Sequence, residues 1–206
     1  MRMAPACLTL ATLCVWIAPA ELERAVRILS PLNECILDSG RFDIVASVGG
    51  FTAEEAAALA VTVDGRRAER VPTRPPTVLA RVELEPGEHT ITVGTQVARV
   101  FVKGDDDLPE SVREWPVAFA HPGGADGRQD CAACHVTSEE DGALAIRDLV
   151  LPDACLTCHP PADFELAHSH PLTPIAGCRR CHATHGAVAA KLLRAPAKRL
   201  CAECHE

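Results

Sequence analysis

Val78-Leu79-Ala80-Arg81-Val82-Glu83-Leu84-Glu85-Pro86-Gly87-Glu88-His89-Thr90-Ile91-Thr92-Val93-Gly94-Thr95-Gln96-Val97-Ala98-Arg99-Val100-Phe101-Val102 decides how the first half of the chain folds. Val78, Ala80, Val82 and Leu84 alternate, then His89, Ile91 and Val93, then Ala98, Val100 and Val102. A period of two in β-branched residues marks half-buried strands. Pro86-Gly87 and Gly94-Thr95 supply the turns between them. Toward the N-terminus the pattern recurs in Val26 and Ile28, in Phe42, Ile44, Ala46 and Val48, and in Leu59, Val61 and Val63. Asp64-Gly65 then signals a two-residue hairpin. Ala and Glu at 54–59 favour one short helical turn. Six or seven short strands within about 85 residues predict a small β-sandwich of immunoglobulin type.

Beyond this half one pentapeptide occurs four times: Cys131-Ala132-Ala133-Cys134-His135, Cys155-Leu156-Thr157-Cys158-His159, Cys178-Arg179-Arg180-Cys181-His182 and Cys201-Ala202-Glu203-Cys204-His205. Cys-x-x-Cys-His is the attachment signal of c-type haem. Two thiols add across the porphyrin vinyl groups, and the histidine becomes an axial iron ligand. Four motifs predict four covalent haem c groups. A four-cysteine zinc site also uses paired cysteines, but needs no histidine after each pair, and all four pairs have one. The motifs recur every 23 or 24 residues, a period that marks stacked units. Trp115, Phe119 and Phe164 are the only aromatic residues of this half. So few large side chains make a poor protein core, and the porphyrins would fill it. Short helices at the motifs and loops elsewhere are expected, with an additional helix at 187–194 stopped by Pro196.

The start of the chain reads as an export signal over residues 1–20. Met1-Arg2 is a positive n-region, Ala6 to Ile17 an apolar run, and Ala18-Pro19-Ala20 a cleavage site, which places the mature start at Glu21. The apolar run is short for a membrane span, and no later segment is long and apolar enough. Cys7 and Cys14 would leave with the signal, eight cysteines serve the motifs, and Cys35 stands alone as a small sheltered apolar residue. Lys103-Gly104-Asp105-Asp106-Asp107-Leu108-Pro109 fits a solvated connector. The chain therefore divides into a β-sandwich at 21–103, a linker at 104–110 and a tetrahaem domain at 111–206.

Five histidines lie outside the motifs: His89, His121, His168, His170 and His185. His89 falls in a predicted strand and has a surface role. The other four match four irons, and both methionines, Met1 and Met3, leave with the signal. The economical reading is bis-histidine ligation of every iron, using His135, His159, His182 and His205 with His121, His168, His170 and His185; the alternative is that one of His168 and His170, which flank one serine, is a hydrogen-bond partner. Such irons lack a potential-raising methionine and have no vacant position for a substrate.

His170-Pro171, Gly177, Cys178-Arg179-Arg180-Cys181-His182-Ala183-Thr184-His185, Leu192-Leu193 and Leu200-Cys201-Ala202-Glu203-Cys204-His205 resemble the doubled-CxxCH module of multihaem c-type cytochromes, over residues 168–206. Residues 121–159 look like a degenerate first copy, with Ser138 where the second copy has His185. His168 is then the candidate to complete the second haem. The resemblance implies periplasmic or cell-surface electron transfer.

The formal net charge is −8 and becomes −9 once Arg2 leaves with the signal. Between 126 and 165 there are nine acids and two arginines; between 179 and 200 there are six bases and no acid. Blocks of one sign steer partners or neutralise haem propionates. The acidic balance disfavours nucleic acid. Together these features predict an exported tetrahaem cytochrome, periplasmic or extracellular, that transfers electrons in anaerobic-type or extracellular respiration rather than acting as a catalyst. Its expected partners are redox proteins, among them a membrane-bound quinone-linked complex or other multihaem cytochromes. Two alternatives stay open: a subunit of a conductive homo-oligomeric filament or surface scaffold, and a multihaem reductase with one open iron site.

Overall fold

The computed structural model describes residues 24–121, 128–147, 153–160, 162 and 178–205. The expected signal at 1–20, the start at Glu21, and His168 and His170 lie outside the described residues. Among the described residues no helix is long and apolar enough to cross a membrane.

The chain is mostly β-sheet with a few short helices. In order it forms β1 (Ala25–Ser30), β2 (Cys35–Leu37), β3 (Arg41–Gly49), α1 (Ala53–Ala58), β4 (Val61–Val63), β5 (Arg66–Arg67), β6 (Glu69–Val71), β7 (Thr77–Glu83), β8 (Gly87–Val93) and β9 (Gln96–Val102). One sheet runs β1-β3-β7-β6, the other β2-β9-β8-β4-β5. All neighbours are antiparallel except β2 with β9. Alternation along each strand puts one residue in two on the inner face. Ile44, Ala46, Val48, Val78, Ala80 and Val82 of the first sheet thus share one buried cluster with Val61, Val63, Ile91, Val93 and Val100 of the second. Asp64 and Gly65 both take positive φ, 51° and 76°, and close the β4–β5 hairpin as the sequence predicts. Thr52 and Glu55 form a reciprocal capping box at the start of α1. Cys35 is fully buried in this core. Its Sγ donates to Leu32 O at 3.0 Å, and burial pushes the thiol pKa up to about 11.

Residues 105–107 are exposed, as expected of a connector, but the chain then returns to the sandwich. Val112 is buried with Ile36 and Phe101, and Leu108 and Trp115 pack on the same cluster. Ile36 N donates to Pro116 O at 2.9 Å, and Ala118 N donates to Ile36 O at 2.8 Å. Residues 116–118 therefore lie parallel to β2 and cover an edge that would otherwise present unpaired backbone groups. The expected linker at 104–110 is solvated only in its first part, because Leu108 and Val112 gain more from burial than from solvent.

The second half contains β10 (Val136–Glu140) and β11 (Ala143–Arg147), paired antiparallel, then α2 (Asp153–Leu156) and α3 (Ala197–Ala202). The hairpin corrects the expectation of loops between motifs. It turns on Asp141 and Gly142, at φ 50° and 73°. It also docks on the first sheet: Leu144 N donates to Pro72 O, and Arg74 N donates to Leu144 O, both at 2.9 Å. On the outer face of that sheet Asp43 is buried, and Arg128 pairs with it at 3.3 Å. The helix expected at 187–194 is not formed. A single 3-10 turn, Ala190–Leu192, stands there, with Lys191 and Leu192 at φ 60° and 56°. The backbone folds back, so that Ala183 N donates to Leu192 O and Arg194 N to Cys181 O, both at 2.8 Å. Tertiary bonds to the third motif override the helix propensity of Ala, Lys and Leu. Pro196 opens α3 rather than ending a helix.

Candidate haem-attachment sites

All four pentapeptides adopt the same turn. The first cysteine's carbonyl accepts from the second cysteine's N–H at 3.2 Å in every motif. The same carbonyl accepts from the histidine N–H at 2.8 Å in the first motif and 2.9 Å in the other three. Residues i, i+3 and i+4 of such a turn share one face. Both thiols and the imidazole therefore project to the same side, which is the arrangement that c-type attachment needs. Asp130 caps the first turn, accepting from Ala132 N at 3.0 Å.

Two motif histidines are fixed at one ring nitrogen. His135 Nδ1 lies 2.9 Å from Arg147 O, and His182 Nδ1 lies 2.9 Å from Lys191 O. A carbonyl can only accept, so Nδ1 carries the proton and Nε2 keeps its lone pair for a metal. The β10–β11 hairpin delivers the first carbonyl and the positive φ of Lys191 the second.

Two further histidines face motif histidines. The His121 and His159 ring centroids are 6.3 Å apart with planes at 86°, and those of His135 and His185 are 5.9 Å apart and nearly parallel. A metal shared by two imidazole nitrogens, at about 2.0 Å from each, would need a centroid separation of this order. Burial, then the His135 ring and Arg179, hold His185 below the ordinary histidine pKa, which favours the neutral ring that a metal binds. Ser138, the counterpart of His185 in the first copy, donates instead to Glu140 Oε1 at 2.9 Å. His121 is the ring that faces His159 among the described residues.

The motifs also approach one another. Burial first, then Cys178 and Cys134, push the Cys155 thiol up to about 11, so three motifs meet near Cys155. Arg180 Nη2 lies 3.7 Å from Cys204 Sγ, which brings the third motif to the fourth. Burial, then Asp43 and Asp130, raise the Cys131 thiol. Among the described residues no three His, Cys, Asp or Glu gather as a bare metal site.

His89 plays no part here. Its Nδ1 meets Asp64 Oδ2 at 2.7 Å and its Nε2 meets Glu85 O at 2.8 Å, within the sandwich. Of the basic block, Arg194 is committed to Glu203 and to Arg180 O, while Lys191, Lys198 and Arg199 are exposed. Sequence reasoning missed Asp43, Arg128, Phe119, Ala187 and the carbonyls of Arg147 and Lys191. Only Arg147 had a signal, since the Asp141-Gly142 turn returns it beside Val136.

Residues 170–206 match a protein-family model described as the doubled CXXCH motif. The match supports a haem-binding, multihaem c-type cytochrome. It spans the third and fourth motifs; the first two lie outside it and share their turn geometry. No curated protein and no solved structure matches the chain.

Proposed function

We propose that the chain is an exported tetrahaem c-type cytochrome that carries electrons between redox partners, with an immunoglobulin-like sandwich as its first half. The observation that carries this reading is one turn repeated at four Cys-x-x-Cys-His motifs. The strand orders β1-β3-β7-β6 and β2-β9-β8-β4-β5 fit an immunoglobulin-like arrangement, with an A-B-E-D sheet facing one that contains C, F and G. The sandwich then ends in the strap at 116–118, and the haem-bearing segment follows it.

Haem, when bound, supplies a reversible one-electron iron couple. The residues do the rest. Cys131, Cys134, Cys155, Cys158, Cys178, Cys181, Cys201 and Cys204 form the attachments. His135 and His185 would hold the first iron, and His159 and His121 the second. His182 and His205 serve the other two, with His168 and His170 as their proposed partners. Two histidines for each iron would leave no position for a substrate, which supports a carrier over a reductase. The convergence of motifs near Cys155 and at Arg180 favours short steps between neighbouring sites. Export to the periplasm or cell surface suits covalent haem attachment. Exposed Lys198 and Arg199 would steer an acidic redox partner, an attraction that salt screens.

Mass spectrometry of the holoprotein should give the polypeptide plus four haem masses. Its oxidised spectrum should be low-spin throughout, with little carbon monoxide binding after reduction. Zinc without haem would overturn the attachment reading, and a high-spin iron would revive the reductase.

A further inference from the structure

Phe119 N donates to Ala187 O at 2.7 Å, and Ala187 N donates to Phe119 O at 2.9 Å. This reciprocal pair is an antiparallel bridge and joins two segments that each carry a facing histidine. His121 follows Phe119 by two residues, and His185 precedes Ala187 by two. The two imidazoles therefore sit at corresponding positions on one short ribbon, one facing His159 and the other His135. The ribbon is not free. Phe119 directly continues the strap at 116–118, which is bonded on both sides of Ile36 in β2. That strap is pinned by Val112, which is fully buried against Ile36 and Phe101, and by Trp115 beneath the Arg99 guanidinium at 5.2 Å. On the other strand, Gly186 takes φ 141°, a conformation that L side chains rarely adopt. Gln129 Nε2 donates to His185 O at 3.2 Å and steadies the same segment.

We infer that the β2 edge of the sandwich, acting through the Phe119–Ala187 bridge, is the positioning element for the distal ligands of the first two haems. The inference rests on reading His121 and His185 as axial ligands. Neither Phe119 nor Ala187 touches iron in this account. They fix where two imidazoles stand, and they hold the two sites adjacent to one another. A ligand held on a paired backbone rebinds its iron before a competitor arrives, whereas a ligand on a loose loop is displaced.

The test uses the complete holoprotein. Ala187→Pro removes the N–H that Phe119 O accepts, and Val112→Ala loosens the strap at its buried end without touching the ribbon. The wild type is measured first: four low-spin haems support the ligand reading, and a high-spin signal there defeats that reading separately. In Ala187→Pro all four haems should remain covalently attached. Two of them should become high-spin and bind carbon monoxide after reduction, while the other two stay inert. Val112→Ala should keep its low-spin spectrum but show faster carbon monoxide binding at the same two haems. The inference is overturned if all four haems stay inert in both variants. It is equally overturned if all four are perturbed alike, since that reports general loss of structure rather than positioning.

Discussion

Histidine chemistry in this chain is decided by how many ring nitrogens the protein itself occupies. His89 has both engaged, by Asp64 and by Glu85 O, so it has nothing to offer a metal. His135 and His182 are held at Nδ1 by a carbonyl, which orients the ring and leaves Nε2 to act. The Asp64–His89 pair has its own consequence for stability. Burial raises the Asp64 carboxyl, but bonds from Thr90 N–H and His89 outweigh it, and the net pKa lies below the ordinary value. A depressed carboxylate stabilises the fold above its unfolded pKa of about 3.9, and that contribution is lost as pH falls through the lower folded value. The denaturation midpoint of the sandwich should thus drop below pH ~4, and Asp64→Asn should flatten that drop. An unchanged pH profile in the variant would remove Asp64 from the account. At this scale the four pentapeptides were legible as units, because each spacing closes the same turn. The facing rings were legible only as a set, since His121 meets His159 through contacts remote in sequence.

Strands were easier to read than the elements between the motifs. Alternation in β3, β7, β8 and β9 is imposed by a core on one side, and it survives any tertiary detail. The segment at 187–194 has helical composition, yet its backbone is spent on Cys181, Ala183 and His182. The β10–β11 hairpin carries the same Asp-Gly signal as β4–β5 and went unread because porphyrins were expected to replace secondary structure there. Glycines mark where the sheet tolerates nothing more. A Cβ on Gly40 would stand 1.9 Å from Leu84 O, a backbone atom, whereas one on Gly49 meets nothing within 4 Å. Gly40→Ala should destabilise the sandwich by about 1–3 kcal/mol, visible as a fall in Tm of several degrees. Gly49→Ala should leave Tm nearly unchanged. Equal melting of the two variants would contradict the packing at Gly40.

Taken whole, the molecule is joined more tightly than its composition suggests. The acid run at 105–107 reads as a break, but Val112, the strap on β2, the Leu144 bonds at Pro72 and Arg74, and the Arg128–Asp43 pair all cross it. None of these has a sequence signature, because each pairs residues far apart in the chain. A fragment of residues 21–119 should therefore melt higher than one of 21–103. Burying Val112 alone is worth about 1.5–3 kcal/mol, and the strap adds backbone pairing at β2. Matching melting curves, recorded by circular dichroism, would support the boundary at 103.

Among the described residues, Cys35 is the single cysteine outside the motifs, and the folded sandwich seals it away. Thiolates, not thiols, are what attack and oxidise, and a group displaced to about 11 holds almost no thiolate at neutral pH. If all four motifs take haem as proposed, eight other thiols must stay reduced until they react, and a ninth reactive one would offer each of them a wrong disulfide. N-terminal segments fold first as a chain is made. On that reading the order of the two halves would withdraw Cys35 from competition before the first motif cysteine emerges.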